Sequence, residues 1–179
     1  MTLPFDLAHA QTLLSRTPAT LTAWLSEQPD EILTANEGAD SWSAFDIVGH
    51  LIHGEKTDWM PRIKLILKSG PDCEFDPFDR FAQFRNSRGR SINDLLDEFT
   101  KLRLKNIQEL KALQLASGDF ERTGRHPALG TVTLRQLIAT WVVHDYDHLM
   151  QIARVIGSQW AAEVGPWSAY LRVVSGKQG

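Results

Sequence analysis

His144 and His148 stand four residues apart in a stretch dense in apolar side chains: Trp141, Val142, Val143 and Leu149. In a helix, four steps of about 100° return to within about 40° of the same face, one turn further on. Two imidazoles so placed converge on one point, the spacing by which a helix grips a metal ion. A second apolar stretch carries His50 beside Val48, Leu51 and Ile52. If those two helices are neighbours, His50 completes a three-nitrogen site. Three neutral imidazoles leave an ion's charge intact and a coordination position open for water or substrate. The plainer reading of the same residues is a solvated or hydrogen-bonded histidine pair and a lone core histidine.

An ion held this way can lower the pKa of a bound water to about 7, or deprotonate a bound thiol. Hydrolysis also wants a general base within hydrogen-bond reach. Asp147, about 60° off the His144 face, and His53, one turn from His50, are the two weak candidates for catalysis. Glu55 points about 140° away from His50 and ranks last. A surface or structural role is the plainer reading of all three. The run His144-Asp145-Tyr146-Asp147-His148 is a near match to the H-E-x-x-H helix of zinc proteases. Its base position holds Asp145, one methylene too short, and Glu163 is only a formal third ligand, so a protease is disfavoured. Cys73 has no basic neighbour before Arg80, and nothing local lowers its pKa. It reads as structural. Arg85, Arg88 and Arg90 form a small basic cluster that could receive an anion or simply face solvent. Trp141, one turn before His144, lines the site or belongs to the core.

The elements that must position these residues read as helices. The first runs from about Asp6 to Gln28, interrupted by Pro18, with Thr17 able to cap; it is either two short helices or a kinked one. The second starts at Ser43, with Asp46 three residues on, and reaches Gly70 with a bend at Pro61. A structured loop carrying Phe75, Phe78, Phe81 and Phe84 follows; these rings are core, or else a wall over the bundle end. The third helix runs from Ser91 to about Leu115. The fourth starts at the Thr133–Gln136 capping-box pair and ends at Gly157. No strand-like alternation competes, so the expected class is all-α, a four-helix bundle with a short tail from Trp160 to Val174.

Composition sets outer limits. The chain has 179 residues, which suits a single domain spanning residues 1–179. Its 42% hydrophobic and 23% charged residues match an ordinary globular protein. A net charge of −3 offers no positive field to a nucleic-acid backbone or an anionic membrane. No apolar run approaches the roughly 20 residues of a membrane span, and the N-terminal stretch lacks the pattern of a signal peptide. A single cysteine excludes an intramolecular disulfide and suits a reducing compartment. The expectation is a cytoplasmic protein acting on a small molecule.

The stretch from Trp42 to Leu51, Thr133 to Leu137, and His144 to His148 with Gln151 and Ile152 together resemble the DinB-like (YfiT-like) superfamily of metal-dependent enzymes. The likeness extends over nearly the whole chain and includes the turn His126-Pro127-Ala128-Leu129-Gly130. It implies an up-down-down-up four-helix bundle, often a homodimer. It also implies a divalent ion, zinc or nickel, on His50, His144 and His148. Activities known in that family include S-transfer from low-molecular-weight thiols and a thiol-dependent isomerisation, so a thiol cofactor is a further expectation. Imidazole suits zinc and nickel alike. Three readings follow: a metal-dependent thiol S-transferase or hydrolase, a non-enzymatic metal-binding or stress-related module, and a metal-free bundle with hydrogen-bonded core histidines.

Overall fold

The long helices start where side chains can cap them. Asp6 accepts a hydrogen bond from the His9 amide at 2.8 Å. Ser43 with Asp46, Ser91 with Asp94, and Thr133 with Gln136 form reciprocal capping boxes. The structure, a computed structural model, describes residues 4–38 and 41–175. Met1, Thr2 and Leu3, part of the stretch read for a signal peptide, lie outside them. In chain order the elements are α1 (Leu7–Leu25), α2 (Asp30–Thr34), α3 (Ala44–Thr57), α4 (Trp59–Ser69), α5 (Ala82–Asn86) and α6 (Ile92–Ala112). They continue with β1 (Thr123–His126), β2 (Gly130–Thr133), α7 (Leu134–Ser158) and α8 (Arg172–Ser175).

Helix α1 packs on α6 and α7, and α3 packs on the same two, closing a four-helix ring in which α3 lies beside α7. One apolar cluster gathers Leu14, Trp59, Ile63, Leu110, Ile138 and Trp141. A second gathers Leu21, Ile47, Leu51, Leu95, Phe99 and Ile152. No described helix is long and apolar enough to cross a membrane.

Three local features depart from the expectations. Helix α1 runs unbroken through Pro18. A proline there removes the amide that would bond the Leu14 carbonyl. Arg103 from α6 supplies that bond instead, Nη1 to Leu14 O at 2.9 Å. Thr17 caps nothing and donates its hydroxyl to Asp145. The second helix is two helices that meet at Asp58, three residues before Pro61. The Pro61 ring clashes with the carbonyl of residue 57, so the break falls there and Pro61 sits in the first turn of α4.

The third departure is a hairpin. Strands β1 and β2 pair antiparallel, Thr123 with Thr133 and His126 with Gly130. Four-residue strands are too short for their alternation to register against long helices. Residues 73–75 lie alongside β1, with the Arg125 amide donating to Cys73 O at 2.7 Å and the Phe75 amide to Arg125 O at 2.9 Å. Gly124 permits this approach: a Cβ there would meet Cys73 Sγ and Phe75 Cε1 at 2.8 Å. Cys73 is buried in that seam, a packing role. The tail folds back, and Val173 of α8 packs against Gly157 of α7.

Candidate metal centre

Helix α3 and helix α7 bring His50, His144 and His148 together across the bundle. Their ligand nitrogens all lie within 4.8 Å of one another. Nε2 of His144 is 3.2 Å from Nε2 of His50 and 3.1 Å from Nε2 of His148. Nitrogens bound at 2.0–2.1 Å to a tetrahedral ion stand about 3.3–3.4 Å apart, so the cluster is close to the size of a coordination shell.

The protonation pattern agrees with that geometry. Burial pushes the His50 imidazole down to about 3 and that of His144 down to about 2, with neighbouring imidazoles adding to the effect. Burial lowers His148 as well, opposed by its hydrogen bond to Gln151. All three rings are therefore neutral at pH 7, the form that ligates a metal. Gln151 Oε1 lies 2.9 Å from His148 Nδ1 and accepts a hydrogen bond from its N–H, which turns the Nε2 lone pair toward the cluster. The Nδ1 atoms of His50 and His144 are buried with no hydrogen-bond partner among the described residues. Aromatic rings hold the imidazoles in place. Trp42 lies 4.7 Å from His50 and stacks on His148 at 6.2 Å, while Trp59 meets His144 edge-on at 5.1 Å.

A pH dependence follows for the metal-free protein. The unfolded chain takes up protons on these histidines below their ordinary value of 6.5, and the folded protein does not. Their contribution to stability is complete above that value and is lost as the pH falls toward the folded values. Urea unfolding in the presence of a chelator is expected to show a loss of about 4 kcal/mol between roughly pH 7 and pH 5 from His50 and His144. A flat profile over that range contradicts the buried, neutral cluster.

The three histidines line a cleft of about 1160 Å³. Asp147 is exposed and lines it. His53 is half-buried outside the cleft wall, packed 4.8 Å from Phe78, with Nε2 3.5 Å from the Thr57 hydroxyl. Glu163 is exposed in the tail, apart from the cluster. Of the loop phenylalanines, Phe75 joins the core and Phe78 packs 5.3 Å from His50. Phe81 and Phe84 stack on each other at the surface. Trp141 is fully buried and stacks on Trp59, so it belongs to the core.

Behind the cluster lies a polar layer that helical periodicity alone does not mark. Arg103 is fully buried, and all five of its N–H groups are used. Nε and Nη2 donate to Glu55 Oε1 at 3.0 and 2.8 Å, both Nη atoms donate to Asp145, and Nη1 also reaches Leu14 O. Asn106 donates to Glu55 Oε2 at 2.9 Å, and Trp141 Nε1 to Glu55 Oε1 at 3.0 Å. Burial pushes the Glu55 carboxyl up, and Arg103 opposes it. Glu55 and Asp145 thus face the bundle interior, while His144, next to Asp145 in sequence, faces the cluster. The available signal was the placement of Arg103 and Asn106 four and seven residues after Phe99, on the apolar stripe of α6.

The fold and the cluster can be set beside known proteins. A solved structure, YfiT from Bacillus subtilis, matches with a TM-score of 0.74 at 20% identity, over 87% of this chain and 90% of that chain. It is described as a probable metal-dependent hydrolase with an unusual four-helix bundle topology. At that identity the likeness concerns the fold. No curated protein matches the chain. A family model described as the DinB superfamily matches residues 13–152, which take in most of α1, all of α3 and α6, and α7 past both of its clustered histidines. The chain belongs to the DinB superfamily.

Proposed function

We propose that the protein is a metal-dependent hydrolase of small molecules, with one divalent ion held by His50, His144 and His148. The convergence of three neutral Nε2 atoms at 3.1–3.2 Å carries this reading. With the proton on Nδ1, as Gln151 sets it for His148, each ring turns an Nε2 lone pair to the cluster, and a dipositive ion is the ligand that three such donors suit. Bound there, the ion supplies Lewis acidity at a coordination position left to water or substrate. The description of YfiT as a probable metal-dependent hydrolase points the same way. Zinc and nickel both fit three imidazoles.

The chain's own groups divide the remaining work. Gln151 holds the His148 ring, while Trp42 and Phe78 limit the approach of bulk water to His50. Asp147 is the base: it is the carboxylate on the cleft wall nearest in sequence to the ligands, and its charge acts on His148. It would accept the proton released when a nucleophile attacks. His53 then serves the packing around Phe78. S-transfer from a low-molecular-weight thiol would use the same ligands with sulfur as nucleophile. The buried free thiol of Cys73 suits a reducing, cytoplasmic setting, and the exposed Val143, Tyr146 and Met150 along α7 suit a second copy of the chain.

The test is turnover of p-nitrophenyl esters by zinc- and nickel-loaded protein, with and without an added thiol such as bacillithiol. Thiol-independent hydrolysis is expected, with kcat/KM falling about 10²–10⁴-fold in Asp147→Asn. Turnover that requires the thiol transfers the assignment to S-transfer. Metal binding without any turnover transfers it to a metal-binding module.

A further inference from the structure

We infer that the substrate carries a carboxylate held by Arg80, on the wall of the cleft that the three histidines also line; this rests on the hydrolase reading and names its substrate class. Three guanidinium groups line the cleft: Arg62, Arg80 and Arg154. Two of them are committed. Arg62 is paired with Asp58 at 2.5 Å and donates to Asp76 O at 3.2 Å. Arg154 grips both carboxylate oxygens of Glu37 at 2.8–3.0 Å. Arg80 has neither an ion pair nor a side-chain hydrogen bond among the described residues. The acid beside it, Asp79, is taken by Arg85.

The other arginines of the segment do not compete. Arg85 is held by Asp79 and Arg90 by Glu98, and neither they nor Arg88 line the cleft. Arg80 stands two residues beyond Phe78, whose ring touches His50, and the Arg80 charge is felt at His50. Arg80 and the three histidines line the same cleft, so one molecule can reach both the guanidinium and the metal ligands. The same wall carries the aromatic rings of Trp42, Phe78 and Phe81, which suits a hydrocarbon body joining the anion to the labile bond.

Charge selects among anions. Among the described residues, the other charged side chain on the wall without an ion pair is the Asp147 carboxylate. One free guanidinium matches one negative charge, and its fork matches the two oxygens of a carboxylate. A phosphate dianion would bring a second charge that one guanidinium does not compensate, into a cleft whose wall also carries the Asp147 carboxylate.

The test needs no turnover. Phenylacetate and phenyl phosphate are titrated calorimetrically into wild type and Arg80→Gln, each zinc-loaded and chelated. The chelated samples separate binding by Arg80 from binding by the ion. Phenylacetate affinity is expected to fall about tenfold in the variant with and without zinc, the loss of one charge-assisted contact. Arg80 is exposed, so the fold is not at stake. Equal phenylacetate affinity in the two chelated proteins overturns the proposal, as does tighter binding of phenyl phosphate by chelated wild type. The ratio of kcat/KM for mono-p-nitrophenyl glutarate to that for p-nitrophenyl acetate is expected to fall about tenfold in the same variant. Arg80-dependent binding with neither ester hydrolysed upholds the carboxylate site and removes the hydrolase reading. Hydrolysis whose ester ratio ignores Arg80 does the reverse.

Discussion

Replacement of Arg103 by methionine is expected to cost the fold about 3–5 kcal/mol, measured as the shift of a urea unfolding curve at neutral pH. Removing the guanidinium leaves Glu55 and Asp145 as two buried carboxylates with no cation between them. It also leaves the Leu14 carbonyl, already deprived of an amide by Pro18, without its donor. The loss is therefore one of uncompensated charge more than of attraction. Two companion variants separate those contributions. Arg103→Lys keeps the charge but has three donors for five acceptor contacts, and should recover only part of the loss. The triple change Arg103→Met, Glu55→Gln, Asp145→Asn removes the stranded charges and should be more stable than Arg103→Met alone. A cost below about 1 kcal/mol for the single variant would show that the layer is not organised by this ion pairing.

Loss of one clustered imidazole should act most strongly on metal binding. Wild type is expected to take up about one zinc or nickel ion per chain, read by plasma mass spectrometry and by competition with a chelating dye. His144→Ala should weaken that binding by more than about 10²-fold, because removal of a ligand exceeds the 10–100-fold cost of removing a group that orients one. His144 is the ring to choose, since its Nε2 lies close to both of the others. Gln151→Leu supplies the comparison. It spares every ligand and releases only the His148 Nδ1 proton, and should fall within the 10–100-fold range. Metal should also raise the unfolding free energy of wild type, by about 2.7 kcal/mol at a free concentration 100 times Kd, and do little for His144→Ala. Equal uptake by the two proteins would sink the three-histidine centre. No uptake by wild type would leave the histidines as core residues.

What could be read in the residues alone was local. A helix is held by contacts three and four positions apart, so the capping pairs at Ser43, Ser91 and Thr133 and the shared face of His144 and His148 follow from spacing. The resemblance carried by Trp42 to Leu51 and by the last helix reached the family as well. The rest depended on partners far away in the chain. His50 joins the cluster because α3 packs beside α7, and Arg103 finds Leu14, Glu55 and Asp145 at separations of 89, 48 and 42 residues. Pro18 illustrates the limit: a proline inside a helix predicts a kink until a donor from another helix takes the freed carbonyl. Arg80 illustrates it again. Among the arginines of one loop, only the packed structure shows which are consumed by nearby acids and which one faces the cleft. Helices and their faces are determined by near neighbours in sequence, whereas the ion pairs and the cleft wall are determined by which faces the tertiary fold brings together.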